Sequence, residues 1–411
     1  MSSGQRFDTA EIDVAKHQSP QEHRRKKRGK KHVGRVPGWV YRIIVILILC
    51  VVGMLLWFNR SNLTPANVVE WVQTQVVGMG VGDGYPYNIT GSVVLPGNFK
   101  AINKELVMLR DTELTVLNHT AKEIISRPHS FSSPVMKMSG PRTLIYNLVG
   151  TGYQIESQSK TIIKANTPQN ILAGALAVNG RYALVTQSDG YCGCLTAYTA
   201  DNKVLFQYWF SDYYPTAAAL NADGTKAVVT GISAKDGGLT SAVYLLDFSN
   251  TKTVEPFAVY SENMMLDAFY CSDGTAVVIG DKLTAVINTN ARKKVNYDYQ
   301  GLQLAAYNVD TGRTVLSLSP YKNAEDCKFI VLNNSGQATV SVALKQKIKS
   351  VSLFGDTAAA LGDGKVHFYS VATANELGTC IAGNDAKAIA LCDESSVYIL
   401  GVSEVRLAKN R

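Results

Sequence analysis

The stretch that decides the fold is residues 217–260, AAALNADGTKAVVTGISAKDGGLTSAVYLLDFSNTKTVEPFAVY. Short apolar runs alternate in it with turn-forming Asn, Asp, Gly and Ser residues, and no run has the period of an amphipathic helix. Apolar runs bounded by such turns predict β-strands, and Asp-Gly suits the positive φ of a tight hairpin turn. We interpret the stretch as four consecutive antiparallel strands.

The same arrangement recurs, so an internal repeat organises residues 87–411. Clear copies begin near residues 174, 266 and 304, weaker ones near 99, 135 and 350, and one with three strands at 387. Eight units over this length average about 41 residues, the size of a four-stranded propeller blade. The prediction is an all-β protein, a β-propeller of eight blades, or of seven if the first or last unit is not a blade.

Stacking of the units explains why their second strands, such as AVVTG and AVVIG, are apolar nearly throughout. A four-stranded sheet has two faces to bury, and only neighbouring sheets can cover both. The last unit lacks a fourth strand. We expect YNITGSVVL at 87–95 to supply it and to join the two ends of the array into a ring.

The net charge of +8 is concentrated at the N-terminus. Residues 1–42 contain 11 Lys and Arg against 4 Asp and Glu, a net +7, and the rest of the chain is net +1. A nearly neutral body argues against a large nucleic-acid footprint, so no nucleic-acid partner is expected. Residues 1–37 lack the large apolar side chains that a core needs, and they are predicted to be a disordered basic tail.

Residues 38–58 have the composition of a transmembrane helix. Ile43–Phe58 is apolar apart from Gly53, and the whole stretch can span about 30 Å of hydrocarbon. Because positive charges stay on the cytoplasmic side, we expect a single-pass plasma-membrane protein with a cytoplasmic N-terminus and an extracytoplasmic body. The side chains predicted to contact anionic lipid are Arg24, Arg25, Lys26, Lys27, Arg28, Lys30 and Lys31.

Residues 59–86 form the predicted linker before the propeller. Thr64 and Pro65 have the pattern of a helix start, and the valines up to Val77 indicate a short amphipathic helix. The segment GMGVGDGYP at 78–86 is interpreted as a hinge or turn. It is not expected to bind phosphate, because no strand precedes it.

The body contains no recognisable catalytic, cofactor-binding or metal-binding motif. HExxH, CxxC and GxSxG are absent, and His119, His129 and His367 lie far apart in the sequence. We therefore predict no cofactor and no metal, and we assign no catalytic residue. Six cysteines follow the membrane segment, a number that permits three disulfides; their positions within strand patterns favour mostly free thiols.

One aromatic segment, FQYWFSDYYP at 206–215, is a candidate binding surface. Strand alternation places Trp209 on the face opposite to its aromatic neighbours. A fourth strand forms the outer edge of its blade, so part of this area is expected to be exposed to a sugar or protein partner. The candidate partner-binding residues are Tyr208, Trp209, Tyr213 and Tyr214. The alternative is that they pack between adjacent blades.

The repeated unit of residues 87–411 resembles those of WD-repeat-like and quinoprotein-like propellers. The longer sequence resembles an uncharacterised family of single-pass membrane proteins of Gram-positive bacteria, a domain of unknown function. The residues that carry this resemblance are the basic tail, TPANVVEWVQ at 64–73, GDGYPYNITGS at 82–92, LPGNF at 95–99 and HSFSSPVMKMSG at 129–140. It implies an anchored propeller at the cell envelope. Quinone chemistry is not expected, since Trp209 is the only tryptophan beyond the linker.

Two functions compete at this point. The anchor, the repeat and the missing catalytic motifs favour a non-catalytic binding or scaffold module at the cell envelope, with an envelope protein or a wall polymer as partner. The alternative is an envelope enzyme, similar to a glycan hydrolase, with its site at the propeller channel. Such an enzyme needs a facing pair of carboxylates with raised pKa, so the channel discriminates between the two.

Overall fold

The computed structural model of the chain describes residues 38–58, 80–102, 104–235, 237–250, 252–322 and 324–410. These residues fall into two compact units, a helix and a body of β-sheets. The predicted basic tail with its seven lipid-contact residues, and the predicted linker helix, lie outside the described residues.

The helical unit is α1 (Gly38–Phe58), the segment for which the sequence predicts a membrane span. Among the described residues, no helix is both long enough and apolar enough to cross a membrane. The membrane span therefore stays a prediction.

The first four blades of the body run from residue 94 to residue 261. The first consists of β2 (Val94–Ile102), β3 (Glu105–Arg110), β4 (Glu113–Leu117) and β5 (Glu123–Pro128). The second consists of β6 (Pro134–Ser139), β7 (Arg142–Asn147), β8 (Gly152–Ser157) and β9 (Thr161–Asn166). The third consists of β10 (Ile171–Leu176), β11 (Tyr182–Ser188), β12 (Tyr191–Tyr198) and β13 (Val204–Phe210). The fourth consists of β14 (Tyr214–Leu220), β15 (Lys226–Lys235), β16 (Gly238–Asp247) and β17 (Ala258–Ser261).

The remaining four blades complete the chain. The fifth consists of β18 (Met265–Tyr270), β19 (Thr275–Gly280), β20 (Leu283–Asn288) and β21 (Lys293–Asp298). The sixth consists of β22 (Gln303–Asp310), β23 (Arg313–Ser319), β24 (Asp326–Leu332) and β25 (Ala338–Lys345). The seventh consists of β26 (Ile348–Phe354), β27 (Thr357–Gly362), β28 (Lys365–Ser370) and β29 (Glu376–Ile381). The eighth joins β30 (Ala388–Leu391), β31 (Ser396–Leu400) and β32 (Glu404–Lys409) to β1 (Tyr87–Asn88) from the start of the body.

The fold is therefore an all-β propeller whose described strands form eight antiparallel four-stranded sheets, and the prediction of eight blades is confirmed. Burial follows the position of a strand in its blade. All residues of the second strands β19, β27 and β31 are buried, whereas the fourth strand β21 is largely exposed. This is the pattern expected when each sheet is covered on both faces and leaves only its outer edge to solvent.

The core is divided among the boundaries between blades. Each of the eight boundaries has its own cluster of buried apolar side chains in the described part of the chain. At the fifth boundary, for example, Val277 and Ile279 of β19 pack with Leu316 of β23. The first strands of neighbouring blades contact one another and so surround the channel, and β30 contacts β2 in the same way.

Polar side chains on the first strands join some neighbouring blades, the first to the second and the seventh to the eighth. Asn98 Nδ2 donates to the carbonyl oxygen of Pro134 at 2.8 Å, and Asn98 Oδ1 accepts from Met136 N at 3.1 Å. Ser352 Oγ accepts from Leu391 N at 2.9 Å. A first strand has a pairing partner on one side only, so these bonds satisfy backbone groups that would otherwise lack one.

The ring closes where β1 pairs with β32. Tyr87 lies opposite Val405, Asn88 lies opposite Glu404, and Ile89 N donates to Ser403 O at 2.8 Å. The predicted closing strand, 87–95, is therefore correct at its start. Its last residues are different: Val94 already begins β2, the first strand of the first blade.

The glycine-rich segment before β1 packs against the first blade. Gly82 N donates to Thr120 Oγ1 at 2.9 Å and Gly84 N to Thr120 O at 3.0 Å. A Cβ atom at Gly82 would collide with the backbone nitrogen of Lys122, so glycine is required by this close approach. The predicted hinge or turn is thus a turn held against the β4–β5 connection.

We expect Ile89→Ala to destabilise the propeller by about 2–4 kcal/mol, because it leaves a cavity in a well-packed cluster. Ile89 is 2% exposed and belongs to the cluster shared by the first and eighth blades. Urea unfolding followed by tryptophan fluorescence or circular dichroism measures the change. Val93→Ala is the matched control, since Val93 is 56% exposed. Equal unfolding midpoints for the two variants would show that closure contributes nothing to stability.

Candidate functional sites on the aromatic surface and in the channel

The aromatic segment of β13 is split between core and surface. Phe206 and Phe210 are buried in the cluster between the third and fourth blades, while Trp209 points the other way and is 45% exposed. Strand alternation alone predicts this division, because successive side chains leave a strand on opposite faces.

Tyr208 and Tyr213 pack between blades. Tyr208 OH donates to Val254 O at 2.9 Å and accepts from Val254 N at 3.2 Å. The rings of both tyrosines lie 6.3 Å from that of Tyr244 on β16. For these two residues the structure shows the packing arrangement that was the alternative to a binding role.

Trp209 and Tyr214 are exposed, and so is a third aromatic residue, Tyr191. Tyr191, at the start of β12, is 51% exposed and its ring centroid lies 6.4 Å from that of Trp209; Tyr214 is 60% exposed. We call Tyr191, Trp209 and Tyr214 the aromatic surface. Sequence reasoning missed Tyr191 because it lies outside the aromatic run. Its signal was the hairpin: the turn at 199–203 joins β12 to β13 and brings the start of the third strand beside the end of the fourth.

The channel contains charged groups that the sequence analysis did not single out. Within the described residues of the eight first strands, the lysines are Lys100, Lys137 and Lys349, and the acidic residues are Asp267 and Asp310. Lys137 Nζ lies 3.0 Å from Asp267 Oδ1. Because Lys137 belongs to the second blade and Asp267 to the fifth, this ion pair crosses the channel. A single charge within an otherwise apolar first strand was the available signal.

Further groups hold the pair in place. Asp267 Oδ1 also accepts from Ala268 N at 2.9 Å, and Asp267 Oδ2 accepts from Tyr307 OH at 3.3 Å. The Phe269 ring lies 5.9 Å from Lys137 Nζ. Burial acts to lower the pKa of Lys137, but the carboxylate of Asp267 raises that pKa above its ordinary value. Lys137 is therefore a charged ammonium, and the pair is a fixed bridge.

Lys100 of the first blade lies beside this bridge without a hydrogen-bond partner among the described residues. Burial, and then the positive charge of Lys137, lower the pKa of Lys100 to about 8. The carboxylate of Asp267 opposes this shift but is shared with Lys137. The channel is thus positively charged at this level.

The enzyme hypothesis required a facing pair of carboxylates in the channel. Of the two acidic residues on the described first strands, Asp267 is neutralised by Lys137. Asp310 ends β22, beside the turn to Arg313; burial raises the pKa of Asp310. The two carboxylates lie on neighbouring blades at different heights of the channel. This arrangement offers charge and hydrogen bonds to a ligand but does not assemble a general acid with a general base.

The three histidines of the body, and every cysteine except Cys50 of α1, lie in the blades or their connections. Burial lowers the pKa of His129, whose Nε2 lies 3.0 Å from Arg110 O. The seven cysteines are free thiols, four of them buried: Cys194, Cys327, Cys380 and Cys392. Across the described ranges, no three His, Cys, Asp or Glu side chains are grouped closely enough to hold a metal ion.

We expect Lys100→Met to stabilise the propeller at pH 7 by about 1–3 kcal/mol, and the gain to shrink toward pH 10.5. The pKa of Lys100 is about 8 in the folded protein, against its ordinary value of 10.5. Between these two pH values the folded protein therefore binds fewer protons than the unfolded protein. The stability of the unsubstituted protein therefore rises over that interval, and the variant loses its advantage. Urea unfolding at both pH values tests this, with the exposed Lys164→Met as control. A gain that is independent of pH would contradict the assignment of the lowered pKa.

Comparison with known proteins places the body among propellers of very different sequence. The chain is similar to Sqt1 of Saccharomyces cerevisiae, with a TM-score of 0.54 and 10% identity over 80% of this chain and 100% of that one. It is similar to the C-terminal WD40 domain of Sif2, with a TM-score of 0.52 and 10% identity over 81% and 100%. BamB from Moraxella catarrhalis aligns with a TM-score of 0.48 and 11% identity over 79% and 100%.

At these identities the similarity establishes the fold and nothing about activity. The comparison with curated proteins gives no match. The family comparison, in contrast, extends over most of the body, from the closing strand β1 to the last turn of the eighth blade. By this match over residues 87–403, the chain belongs to the family of unknown function DUF5711.

Proposed function

We propose that the protein is a membrane-anchored binding module of the cell envelope, whose propeller holds an envelope protein or a wall polymer on one face. The observation that carries the proposal is the aromatic surface: Tyr191 and Trp209 are exposed with their ring centroids 6.4 Å apart, and Tyr214, at the start of the next blade, is exposed as well. Exposed aromatic rings grouped in this way supply large contact areas at low entropic cost and are enriched where proteins bind partners.

The position of the aromatic surface supports a face-on mode of binding. Its rings lie where the second and third strands are joined and where one blade leads into the next. On that same face, across the channel, the connections of the sixth to eighth blades form a cleft lined by Lys347, Lys349 and Lys387. Asp385 in this cleft is paired with Arg406 at 2.7 Å, so the lysines determine its charge.

The combination of rings and lysines favours a partner that carries both planar or sugar-like surfaces and negative charges. Ammonium groups attract phosphate or carboxylate groups over distances of about 10 Å at moderate salt, and aromatic rings pack on the flat faces of sugars or side chains. An acidic wall polymer has this chemistry along its whole length, and an acidic protein surface has it locally. The proposal is therefore a polyanionic partner on this face.

Anchoring is supported by α1 and by the sequence before it. The apolar side chains of Ile43, Leu47, Leu49 and Met54 in α1 are each between 47% and 64% exposed, so this part of the helix offers apolar surface. A helix that is apolar all round needs an apolar environment. The basic residues at 24–31 favour a cytoplasmic N-terminus, with the propeller outside.

The rival function, hydrolysis of envelope glycans in the channel, has less support. The channel residue suited to acid–base chemistry, Asp267, is bridged to Lys137 at 3.0 Å. Turnover of wall fragments by the purified protein would nevertheless overturn the binding proposal.

We expect Tyr191→Ala combined with Trp209→Ala to abolish capture of the partner in intact cells, because both rings are removed from the centre of the contact. Crosslinking followed by mass spectrometry identifies protein partners, and co-sedimentation with purified walls detects a polymer. Phe354→Ala is the matched control, since Phe354 is 36% exposed and ends β26, on the opposite face of the propeller. An unchanged partner and wall binding in the double variant would remove the aromatic surface from the proposal.

We expect protease added to intact cells to digest the propeller and to leave an N-terminal fragment associated with the membrane. The proposed orientation puts the body outside and the basic tail inside, where the enzyme cannot reach it. Immunoblotting with tags at each terminus follows the two parts. Protection of the C-terminal tag until the cells are lysed would contradict the orientation.

A further inference from the structure

A cavity of about 160 Å³ lies between the first and second blades. Its walls come from the turns β2–β3, β6–β7 and β8–β9 and from the strands beside them. These turns lie on the face of the propeller opposite to the aromatic surface. The cavity is therefore separate from the binding face described above, and nothing in the proposed function uses it.

Most of the cavity wall is apolar. The apolar side chains that line it are Ile102, Val107, Leu114, Val116, Ile125 and Met138. Val107, Leu114 and Val116 are at most 3% exposed, so their positions are fixed by packing in the first blade. An apolar space of this size between rigid strands admits a molecule the size of benzene.

One end of the cavity is polar, and its hydrogen bonding is incomplete. Gln158 Nε2 donates to Glu105 Oε2, and both side chains line the cavity. Gln158 Oε1 is shielded from solvent and has no hydrogen-bond partner. A buried acceptor without a donor costs free energy of the order of 1–3 kcal/mol, so a donor placed there by a ligand is favoured.

Glu105 differs from the second carboxylate of the cavity, Glu156. Glu156 pairs with Arg127 at 2.6 Å and accepts from Thr161 Oγ1 at 2.9 Å. Glu105 has no cationic partner in the described part of the chain, and burial raises the pKa of Glu105 above its ordinary value. Tyr398 of the eighth blade also lies near Glu105, and it is neutral at ordinary pH because burial raises the pKa of Tyr398. At the polar end, therefore, the Glu105 carboxylate lacks a cation and the Gln158 amide oxygen lacks a hydrogen-bond donor among the described residues.

We propose that this cavity binds a small primary amine with an apolar body, its ammonium group placed between Glu105 and Gln158 Oε1 and its body against the apolar wall. An ammonium group supplies what both residues lack, a positive charge for the carboxylate and a donor for the amide oxygen. The volume limits the apolar body to about one aromatic ring or a six-carbon chain.

The charge of the site gives the binding a defined pH dependence. The amine binds best when Glu105 is ionised and the amine is protonated. Affinity rises as the pH increases through the raised pKa of Glu105, and it falls again when the amine loses its proton. Arg127 is paired with Glu156 at 2.6 Å and does not compete for Glu105.

Isothermal titration of the purified full chain with benzylamine, benzyl alcohol and toluene tests the proposal. We expect saturable binding of benzylamine at pH 7.5 that is at least tenfold tighter than that of the other two molecules. Glu105→Gln is expected to weaken benzylamine at least tenfold while leaving toluene unchanged. Glu255→Gln, at an exposed position on the fourth blade, is the matched control and is expected to change neither.

A second pair of variants separates loss of the site from loss of the fold. Gln158→Leu removes the unpartnered oxygen and is expected to weaken benzylamine alone, while Val116→Phe fills the cavity and is expected to abolish binding of both benzylamine and toluene. Unfolding midpoints show whether each variant is folded. Equal affinities for the three molecules, unaltered binding in the folded Glu105→Gln protein, or no saturable binding of benzylamine would each overturn the proposal.

Discussion

The structure depends on the requirement that every four-stranded sheet be covered on both faces. A single blade exposes two apolar faces, so no blade is stable alone, and a linear array would leave one face bare at each end. The pairing of β1 with β32 removes these ends. It brings Phe99 and Met108 of the first blade against Tyr398 and Leu400 of the eighth, and so forms the eighth cluster. All other boundaries rely on this one to keep the ring closed.

Closure also determines what the channel can contain. The first strands of the blades face one another, and charges placed on them have few solvent molecules and few alternative partners. Lys137 and Asp267 lie on non-neighbouring blades and form an ion pair across the channel, and Tyr307 OH donates a hydrogen bond to the same carboxylate. Lys100 has no such partner among the described residues, and burial together with the charge of Lys137 lowers the pKa of Lys100. The channel is accordingly a fixed arrangement of charges, closer to a binding element than to an acid–base pair.

The two faces of the propeller differ in chemistry because different connections reach them. One face carries the aromatic surface and the lysine cleft on connections between blades, which are free to vary without disturbing the sheets. The opposite face carries the turns that join first to second strands and third to fourth strands, where Glu105 and Gln158 border the cavity between two blades. A large partner on one face and a small molecule on the other would not compete for space.

The amino-acid sequence by itself determined the repeat and the order of strands within each blade, since these follow from apolar runs and turn residues that are close in the chain. It favoured eight blades over seven. It also determined that Phe206 and Phe210 leave the strand on one face and Trp209 on the other, because that alternation is a local property of a strand. The tertiary structure alone decided which distant residues meet. Tyr191 beside Trp209, Lys137 opposite Asp267 and Gln158 against Glu105 join different strands or blades. Their meeting depends on sheet register and ring closure, and neither leaves a signature at the separate positions in the sequence.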